Sequence, residues 1–225
     1  MTETSGTNLI KRIIRRITGE ASVSPSAYWN AKYEVSEFIY TKVANRFIVK
    51  LCEPLTPGVA IDLAGGEGRN TVWLAEHGWR VENVDISSVG LQKCMAFAVE
   101  RGVSERISVL QASGADFKST LAPVDLGIVP YLQVEETLLA ASLKNLVSQI
   151  KPGGHLVGVW HARENLGVGF GGPQDPAVLP SFERMTQICA GLSLDVEVCE
   201  LRDGQVQTKD GLKPSITLVL KATVR

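Results

Sequence analysis

Short apolar runs alternate with stretches of helical periodicity between residues 59 and 160, and this alternation limits the possible folds most. The predicted strands are 59–64, 80–86, 107–111, 124–131 and 155–160, and the predicted helices between them are 69–77, 89–100 and 135–150. The strands are continuous apolar runs, which is typical of a parallel sheet covered on both faces. The alternation therefore predicts a doubly wound α/β fold with right-handed crossovers.

The C-terminal part breaks this rhythm. A helix is predicted near 181–190, followed by strands at 193–201 and 215–223 with a turn around Asp203 and Gly204. Two strands without a helix between them form a hairpin, so one of them runs antiparallel to the sheet. We therefore expect a mostly parallel, seven-stranded sheet that ends in an antiparallel hairpin.

The N-terminal region differs in composition from the rest. Residues 9–17 place leucine and isoleucine at helical spacing with lysine and arginine between them, which predicts a basic amphipathic helix. Such a helix binds an anionic membrane surface or packs on its own domain or a partner chain. A linker is predicted at 22–26 and a long helix at 28–51. Residues 1–27 thus read as an extension and 28–225 as one domain.

Composition excludes several classes of protein. The chain has 225 residues, 44% hydrophobic and 21% charged, with a net charge of −1. Charged residues interrupt every apolar stretch before the roughly 18 residues that a spanning helix needs, so no integral membrane association is expected. The net charge offers no footprint for nucleic acid. The four cysteines form no C-x-x-C pair, so we expect no metal site and a cytoplasmic protein with reduced thiols.

The most informative motif is the glycine-rich stretch 61–70, which follows a predicted strand and opens a predicted helix. Its glycines allow a ligand to lie against the backbone, and the free N–H groups of the helix N-terminus point at that ligand. The stretch lacks the lysine of the P-loop that binds nucleoside triphosphates. Thr71 stands where the dinucleotide-binding fingerprint has its third glycine, which argues against a dinucleotide site. Asp62 would repel a pyrophosphate but attract an ammonium group. The motif therefore favours an amino-acid tail, such as the one on S-adenosylmethionine.

Asp85 ends the second predicted strand. Ligands of open α/β sheets bind beyond the carboxyl ends of the strands, where a carboxylate can accept both hydroxyl groups of a ribose. A helix cap or turn is the alternative role for an aspartate at this position. Together with Asp62 and the glycines, the position favours a ribose contact.

Four segments resemble class I S-adenosylmethionine-dependent methyltransferases: 60–70 (AIDLAGGEGRN), 84–87 (VDIS), 124–132 (VDLGIVPYL) and 151–154 (KPGG). The resemblance extends from about residue 28 to the C-terminus and implies a Rossmann-like methyltransferase fold. The EGRN continuation and residues 28–33 (YWNAKY) resemble the tellurite-resistance and thiopurine methyltransferase-like branch, which acts on small molecules.

The resemblance implies S-adenosylmethionine as cofactor and assigns roles to particular residues. Asp62 and the backbone around Gly66 would hold its methionine end, Asp85 the ribose and Ile86 the adenine face. The cofactor-binding set lies at the ends of the first three predicted strands and in the segments after them: Asp62, Ala64, Gly65, Gly66, Gly68, Asn70, Asp85, Ile86, Ser113 and Asp116. Ser113 stands where the family has an acid that binds the adenine amino group, and Asp116 could substitute for it. Ala64 replaces the first loop glycine, a change that a negative φ would tolerate.

Two residues are predicted on the acceptor side. By resemblance, Tyr131 lies near the transferred methyl group. His161 follows the fifth predicted strand and is the best candidate among three histidines for a general base. Arg163 is an alternative partner for an anionic substrate, and the glycine- and proline-rich segment 167–180 reads as a lid or as a surface loop.

These features predict an enzyme that transfers a methyl group to a small-molecule acceptor. Two other functions stay open: a cofactor-binding regulatory or interaction protein without turnover, and a nicotinamide-dependent oxidoreductase. A homodimer is among the assemblies that the sequence allows.

Overall fold

Seven strands form one sheet in the computed structural model, which describes residues 23–35 and 37–225. They are β1 (Val59–Leu63), β2 (Arg80–Asp85), β3 (Ile107–Gln111), β4 (Val124–Pro130), β5 (Ile150–His161), β6 (Leu194–Thr208) and β7 (Gly211–Val224). The helix predicted at 9–17 lies outside the described residues.

The strand order is β3-β2-β1-β4-β5-β7-β6. The five strands from β3 to β5 pair in parallel, and β7 runs antiparallel to both of its neighbours. This confirms the predicted doubly wound sheet with a C-terminal antiparallel hairpin. The chain winds outward from β1 through β2 to β3 and then returns to β4, so the sheet reverses its winding beside β1. The carboxyl ends of β1, β2 and β4 meet at this switch point, where open α/β sheets bind ligands.

Six helices belong to the described part. They are α1 (Pro25–Tyr33), α2 (Arg46–Cys52), α3 (Arg69–Glu76), α4 (Ser88–Glu100), α5 (Glu136–Val147) and α6 (Phe182–Ala190). Side-chain oxygens of Ser24, Asn45, Ser87 and Ser181 cap α1, α2, α4 and α6, because each accepts a hydrogen bond from a backbone N–H of the first turn. None of the described helices is both long and apolar enough to cross a membrane.

Hydrophobic clusters cover both faces of the sheet. Ile61 and Leu63 point into one cluster with the leucines of α5, whereas Ala60 points into the other with residues of α2, α3 and α4. Successive residues of a strand face opposite sides, so β1 contributes to both clusters. The central strand is thus buried on both faces, as its continuous apolar run predicts.

The single helix predicted at 28–51 is wrong. The chain forms α1 and α2 instead, with an irregular stretch between them. Nζ of Lys93 donates hydrogen bonds to the carbonyl oxygens of Tyr33, Val35 and Glu37, groups that a continuous helix would use internally. Asn45 then starts α2, because its Oδ1 accepts hydrogen bonds from the next turn.

Two smaller predictions at the chain ends are also wrong. Pro25 lies in the first turn of α1 rather than in a linker, a position that suits proline. The turn predicted at Asp203 and Gly204 is continuous strand, since Gly204 pairs with Ser215 and the hairpin turns only between Thr208 and Gly211. A Cβ on Gly204 would lie 2.6 Å from Oγ of Ser215, so the glycine serves a close cross-strand approach.

Candidate functional site

The loop between β1 and α3 has an unusual backbone. Ala64, Gly66 and Gly68 adopt left-handed conformations with φ of 60°, 53° and 86°. The negative φ under which alanine would fit easily at position 64 is therefore absent, and a non-glycine residue in this region costs about 1–2 kcal/mol. Two loop hydrogen bonds hold the conformation, from Ala64 N–H to the Val84 carbonyl (2.7 Å) and from Gly68 N–H to the Gly65 carbonyl (2.9 Å).

Gly66 has no room for a side chain because Tyr33 packs against it. The position that a Cβ would take lies 2.5 Å from the Tyr33 hydroxyl oxygen. Tyr33, the last residue of α1, is only 6% exposed and also packs against Gly90 of α4. The N-terminal helix therefore covers the glycine loop from above.

Asp62 lies on β1 directly under this loop and is fully buried. Its Oδ2 accepts a hydrogen bond of 2.6 Å from the Thr71 hydroxyl, whereas its Oδ1 has no partner among the described residues. Burial raises the pKa of Asp62 to about 7, and the nearby Asp85 carboxylate adds to the rise, while the Thr71 hydrogen bond and Arg69 oppose it. A buried carboxylate oxygen without a partner is costly unless a cation or donor reaches it.

Asp85 ends β2 and points into the same loop. Its Oδ2 accepts a hydrogen bond from Gly66 N–H (2.9 Å), and its Oδ1 accepts one from Ser87 N–H (2.8 Å). Burial raises the pKa of this carboxyl group. The helix cap of α4 is Ser87, not Asp85. The carboxylate thus supports the turn and still has lone pairs for a ligand.

The other predicted cofactor residues take different positions around this centre. Ile86 follows Asp85 and is half-buried, and its carbonyl accepts a hydrogen bond from the Gln111 side chain at the end of β3. Ser113 follows β3, and Asp116 is exposed in the next turn. The side-chain oxygen of Asn70 is engaged by the backbone N–H of Asn45 at 2.9 Å, so Asn70 connects α3 with the start of α2.

Tyr131 and His161 come together at the ends of β4 and β5. Their ring centroids are 4.7 Å apart, and Tyr131 has a left-handed φ of 64°. The Tyr131 hydroxyl accepts a hydrogen bond of 2.9 Å from the Asn45 side chain. The Nδ1 atom of His161 is buried without a partner in the described part of the chain, and burial together with Arg69 lowers the pKa of its imidazole. The lowered pKa favours the neutral form of the imidazole.

Arg69 acts electrostatically on both Asp62 and His161, and it was not singled out from the sequence. It is the first residue of α3, is half-buried, and its guanidinium lies 5.6 Å from the centroid of the Tyr131 ring. Among the described residues it forms no ion pair or hydrogen bond through its side chain. Its charge lowers the pKa values of Asp62 and His161 from either side. The only signal in the sequence is its place in the EGRN continuation.

Arg163 was predicted as an alternative contact for an anionic substrate, but its side chain is used within the protein. The guanidinium of Arg163 donates to the carbonyl oxygens of Leu179 (3.1 Å) and Pro176 (3.0 Å), so it holds the segment 167–180 in place. That segment is irregular apart from one short turn at Pro176–Val178. Its Gly172 packs directly on the His161 ring. No group of three or more metal-binding side chains occurs in the described ranges.

A cavity of about 330 Å³ lies away from these residues, between α6 and β6. Thr186, Cys189, Leu194 and Cys199 are among its lining residues, and none of the lining residues belongs to the switch point. The cavity therefore indicates a binding site between α6 and β6, whereas the chemistry of the side chains indicates one at the switch point. We favour the switch point, because the buried unpartnered carboxylate oxygen and the unpaired guanidinium both lie there.

Comparisons with known proteins agree with the fold and the motif. Residues 60–154 match the family model described as a methyltransferase domain. A stretch of 51 residues is 39% identical to ribosomal RNA small subunit methyltransferase C of Alcanivorax borkumensis and spans 23% of this chain and 16% of that protein.

Two solved structures have the same fold. TehB from Haemophilus influenzae aligns with a TM-score of 0.66 at 14% identity, over 89% of this chain and 67% of that one. The N-methyltransferase NodS from Bradyrhizobium japonicum, solved with S-adenosylhomocysteine, aligns with a TM-score of 0.66 at 15% identity, over 88% and 97% of the two chains. Residues 60–154 therefore match a methyltransferase-domain model, and the chain shares the fold of the two solved methyltransferase-type structures TehB and NodS.

Proposed function

We propose that the protein binds S-adenosylmethionine at the switch point and transfers its methyl group to a small molecule. The observation that carries the proposal is that Asp62 keeps an unpartnered carboxylate oxygen while the Arg69 guanidinium is also unpaired in the described part of the chain. Asp62 precedes the glycine loop in the chain and Arg69 follows it, so a negative and a positive group flank the loop and complement a zwitterionic amino-acid tail. The matched methyltransferase family and the NodS structure with S-adenosylhomocysteine support the choice of this ligand.

Each part of the cofactor would find a chemically suitable partner. Asp62 Oδ1 would accept hydrogen bonds from the ammonium group, and Arg69 would pair with the carboxylate. Asp85 would accept hydrogen bonds from the ribose hydroxyls. Ile86 would pack on the adenine face, with Ser113 and Asp116 beside its amino edge. When bound, the cofactor supplies a methyl group already activated on a sulfonium.

Tyr131 and His161 would act on the acceptor. With an activated methyl group the chain needs no covalent nucleophile of its own. Instead it must align the acceptor and exclude water, and alignment of this kind can lower a barrier by about 7–11 kcal/mol. The pKa of His161 is lowered and its Nδ1 atom has no partner in the described part of the chain, so this imidazole would accept the proton of an acceptor hydroxyl or amine. Tyr131, held by Asn45, would form the wall against which the acceptor lies.

A small acceptor is favoured over a macromolecule. Gly172 packs on the His161 ring and Asn45 binds the Tyr131 hydroxyl, so neighbouring segments contact both members of the pair. Among proteins with this fold, NcsB1 is an O-methyltransferase solved with S-adenosylmethionine and a naphthoic acid. The net charge of −1 gives the chain no excess of positive charge to bind the phosphates of a nucleic-acid substrate. A cytoplasmic location and a homodimer stay predictions from the sequence.

Calorimetry with S-adenosylhomocysteine tests the cofactor part of the proposal. We expect binding by the full chain, loss of most of the affinity in Asp62→Asn, and no change in the matched control Asp195→Asn, an exposed aspartate outside the site. A thermal shift with NAD but none with S-adenosylhomocysteine would instead favour an oxidoreductase.

Turnover with S-adenosylmethionine on a panel of small hydroxyl, thiol and amine compounds tests the acceptor part. Release of S-adenosylhomocysteine with at least one compound is expected, and His161→Asn should lower kcat while the affinity for S-adenosylhomocysteine is kept. Cofactor binding without turnover on any compound would favour a regulatory protein.

A further inference from the structure

Lys93 and Glu67 form an ion pair that the proposed reaction does not use. Nζ of Lys93, on α4, lies 2.8 Å from Oε1 of Glu67, and the two side chains are only 17% and 4% exposed. Glu67 stands between Gly66 and Gly68 in the loop after β1, and its carboxylate binds Lys93 and backbone N–H groups of Ile39 and Tyr40. A buried pair at the centre of a binding loop calls for an explanation, since burial of two charges is costly.

The partners of this pair all belong to one segment. Lys93 Nζ donates to the carbonyl oxygens of Tyr33 (3.1 Å), Val35 (3.1 Å) and Glu37 (2.7 Å). Glu67 accepts hydrogen bonds from the backbone N–H groups of Ile39 (3.3 Å) and Tyr40 (3.4 Å). We call residues 33–35 and 37–45 the cover segment. The pair thus satisfies backbone groups that the absence of a helix leaves without internal partners.

The cover segment reaches both halves of the proposed site. At its start, Tyr33 packs against Gly66 of the cofactor loop. At its end, Asn45 donates to the Tyr131 hydroxyl and also binds the side chain of Asn70. Any shift of this segment therefore changes the wall over the cofactor and the wall beside the acceptor together.

We infer that Lys93 and Glu67 are positioning residues that hold the cover segment closed over the bound cofactor. The inference rests on the proposed function, because it assumes that the cofactor lies along the glycine loop. Cofactor exchange requires the cover segment to leave Gly66. The ion pair sets how often this happens, since it connects the segment directly to the loop backbone and one ammonium group bridges three carbonyl oxygens.

Four variants test this role. Lys93→Met removes the bridging ammonium group, and Glu67→Gln keeps the shape of the side chain but removes its charge. The third variant combines both changes. Lys42→Met is the matched control, because Lys42 lies on the same segment but pairs with Glu100 at an exposed position, where the side chains are 44% and 57% exposed.

Two measurements are made on each variant. Stopped-flow binding gives the dissociation rate of S-adenosylhomocysteine, and hydrogen exchange with mass spectrometry follows peptides of the cover segment with and without that ligand. If the pair served only the stability of the fold, its loss would speed hydrogen exchange in all regions alike. A positioning pair acts on the cover segment and leaves the exchange of β1 and β4 as it is.

We expect Lys93→Met and Glu67→Gln each to raise the dissociation rate and the Kd about tenfold, a usual size for coupling between two sites. The double variant should bind less weakly than the product of the two single effects, because the two residues share the ion pair. Cover-segment peptides should exchange faster even without ligand. Lys42→Met should match the unchanged protein.

Three outcomes overturn the inference. An unchanged dissociation rate in both single variants removes the positioning role, and so does unchanged exchange of the cover segment. Tighter binding in Lys93→Met would mean that the segment competes with the cofactor. Should Lys93→Met fail to fold, the isosteric Glu67→Gln decides alone. Failure of the unchanged protein to bind S-adenosylhomocysteine instead rejects the proposed function, which separates the two hypotheses.

Discussion

The carboxylate of Asp85 accepts a hydrogen bond of 2.9 Å from the backbone N–H of Gly66. The end of β2 is thereby connected to the loop after β1, two segments that are 19 residues apart in the chain. The same carboxylate binds Ser87 N–H and starts the turn into α4. One side chain therefore shapes the loop and, in the proposed function, also accepts hydrogen bonds from the ribose.

Asp85→Ala should weaken binding of S-adenosylhomocysteine at least tenfold and leave the fold intact. The change removes the proposed ribose acceptor and leaves two buried N–H groups without partners, which costs about 1–3 kcal/mol each. Calorimetry and thermal unfolding followed by circular dichroism measure the two effects. Asp85→Asn, which keeps one acceptor oxygen, should fall between Asp85→Ala and the unchanged protein. An unchanged Kd would remove Asp85 from the site.

The affinity for S-adenosylhomocysteine should rise with pH between about pH 6 and 8. The pKa of Asp62 is raised to about 7, so this carboxyl group is largely protonated at the lower pH and cannot pair with an ammonium group. Ligand binding favours the ionised form, so the affinity increases by up to about tenfold per pH unit below that pKa and levels off above it.

Titration calorimetry across this range gives the profile. Asp62→Asn cannot ionise, so its weaker binding should lose the rise. A profile that is flat in the unchanged protein would contradict an ammonium partner for Asp62.

Ala64→Gly should stabilise the protein by roughly 0.5–1 kcal/mol. Ala64 has a φ of 60°, where an alanine costs about 1–2 kcal/mol, and glycine removes this strain at an entropic cost of about 0.5–1 kcal/mol. Urea unfolding measures the difference. Ala60→Gly is the control, because Ala60 lies in the buried strand β1 and does not have a positive φ. This variant should be less stable than the unchanged protein. Loss of stability in Ala64→Gly would show that the left-handed residue is not strained.

Gly66→Ala should abolish binding of S-adenosylhomocysteine and destabilise the protein more than Gly102→Ala does. Both glycines have positive φ, 53° and 70°, so both substitutions carry backbone strain of about 1–2 kcal/mol. Only at Gly66 does the new methyl group meet the Tyr33 hydroxyl, whereas nothing lies within 4 Å of the position at Gly102. Binding and unfolding measurements on both variants separate strain from the steric contact. Equal effects of the two substitutions would contradict the Tyr33 contact.

Local sequence was sufficient for most of the sheet. The strands β1 to β4 and the helices α3 and α4 follow the prediction closely, because apolar runs, helical periodicity and the glycines at 78 and 102 act over a few residues. The region 28–51 was predicted wrongly, because the ammonium group of the distant Lys93 donates hydrogen bonds to the carbonyl oxygens that would continue the helix. Periodicity carries no trace of such a partner.

The site divides in the same way. Asp62 and Asp85 could be picked out because each ends or occupies a strand beside a glycine-rich turn. The unpaired Arg69, the Tyr33 cover over Gly66 and the Asn45–Tyr131 hydrogen bond could not, since each depends on which distant side chains come together.

The sequence by itself determined a doubly wound sheet, a glycine loop fit for an amino-acid tail and the carboxylates beside it, because short-range periodicity and backbone freedom are written into neighbouring residues. Only the tertiary structure decided that Asp62 keeps an unpartnered oxygen, that burial lowers the pKa of His161, and that Tyr33 of α1 lies on the loop. Burial, charge and hydrogen-bond partners are properties of groups far apart in the chain, and folding alone brings them within reach of one another.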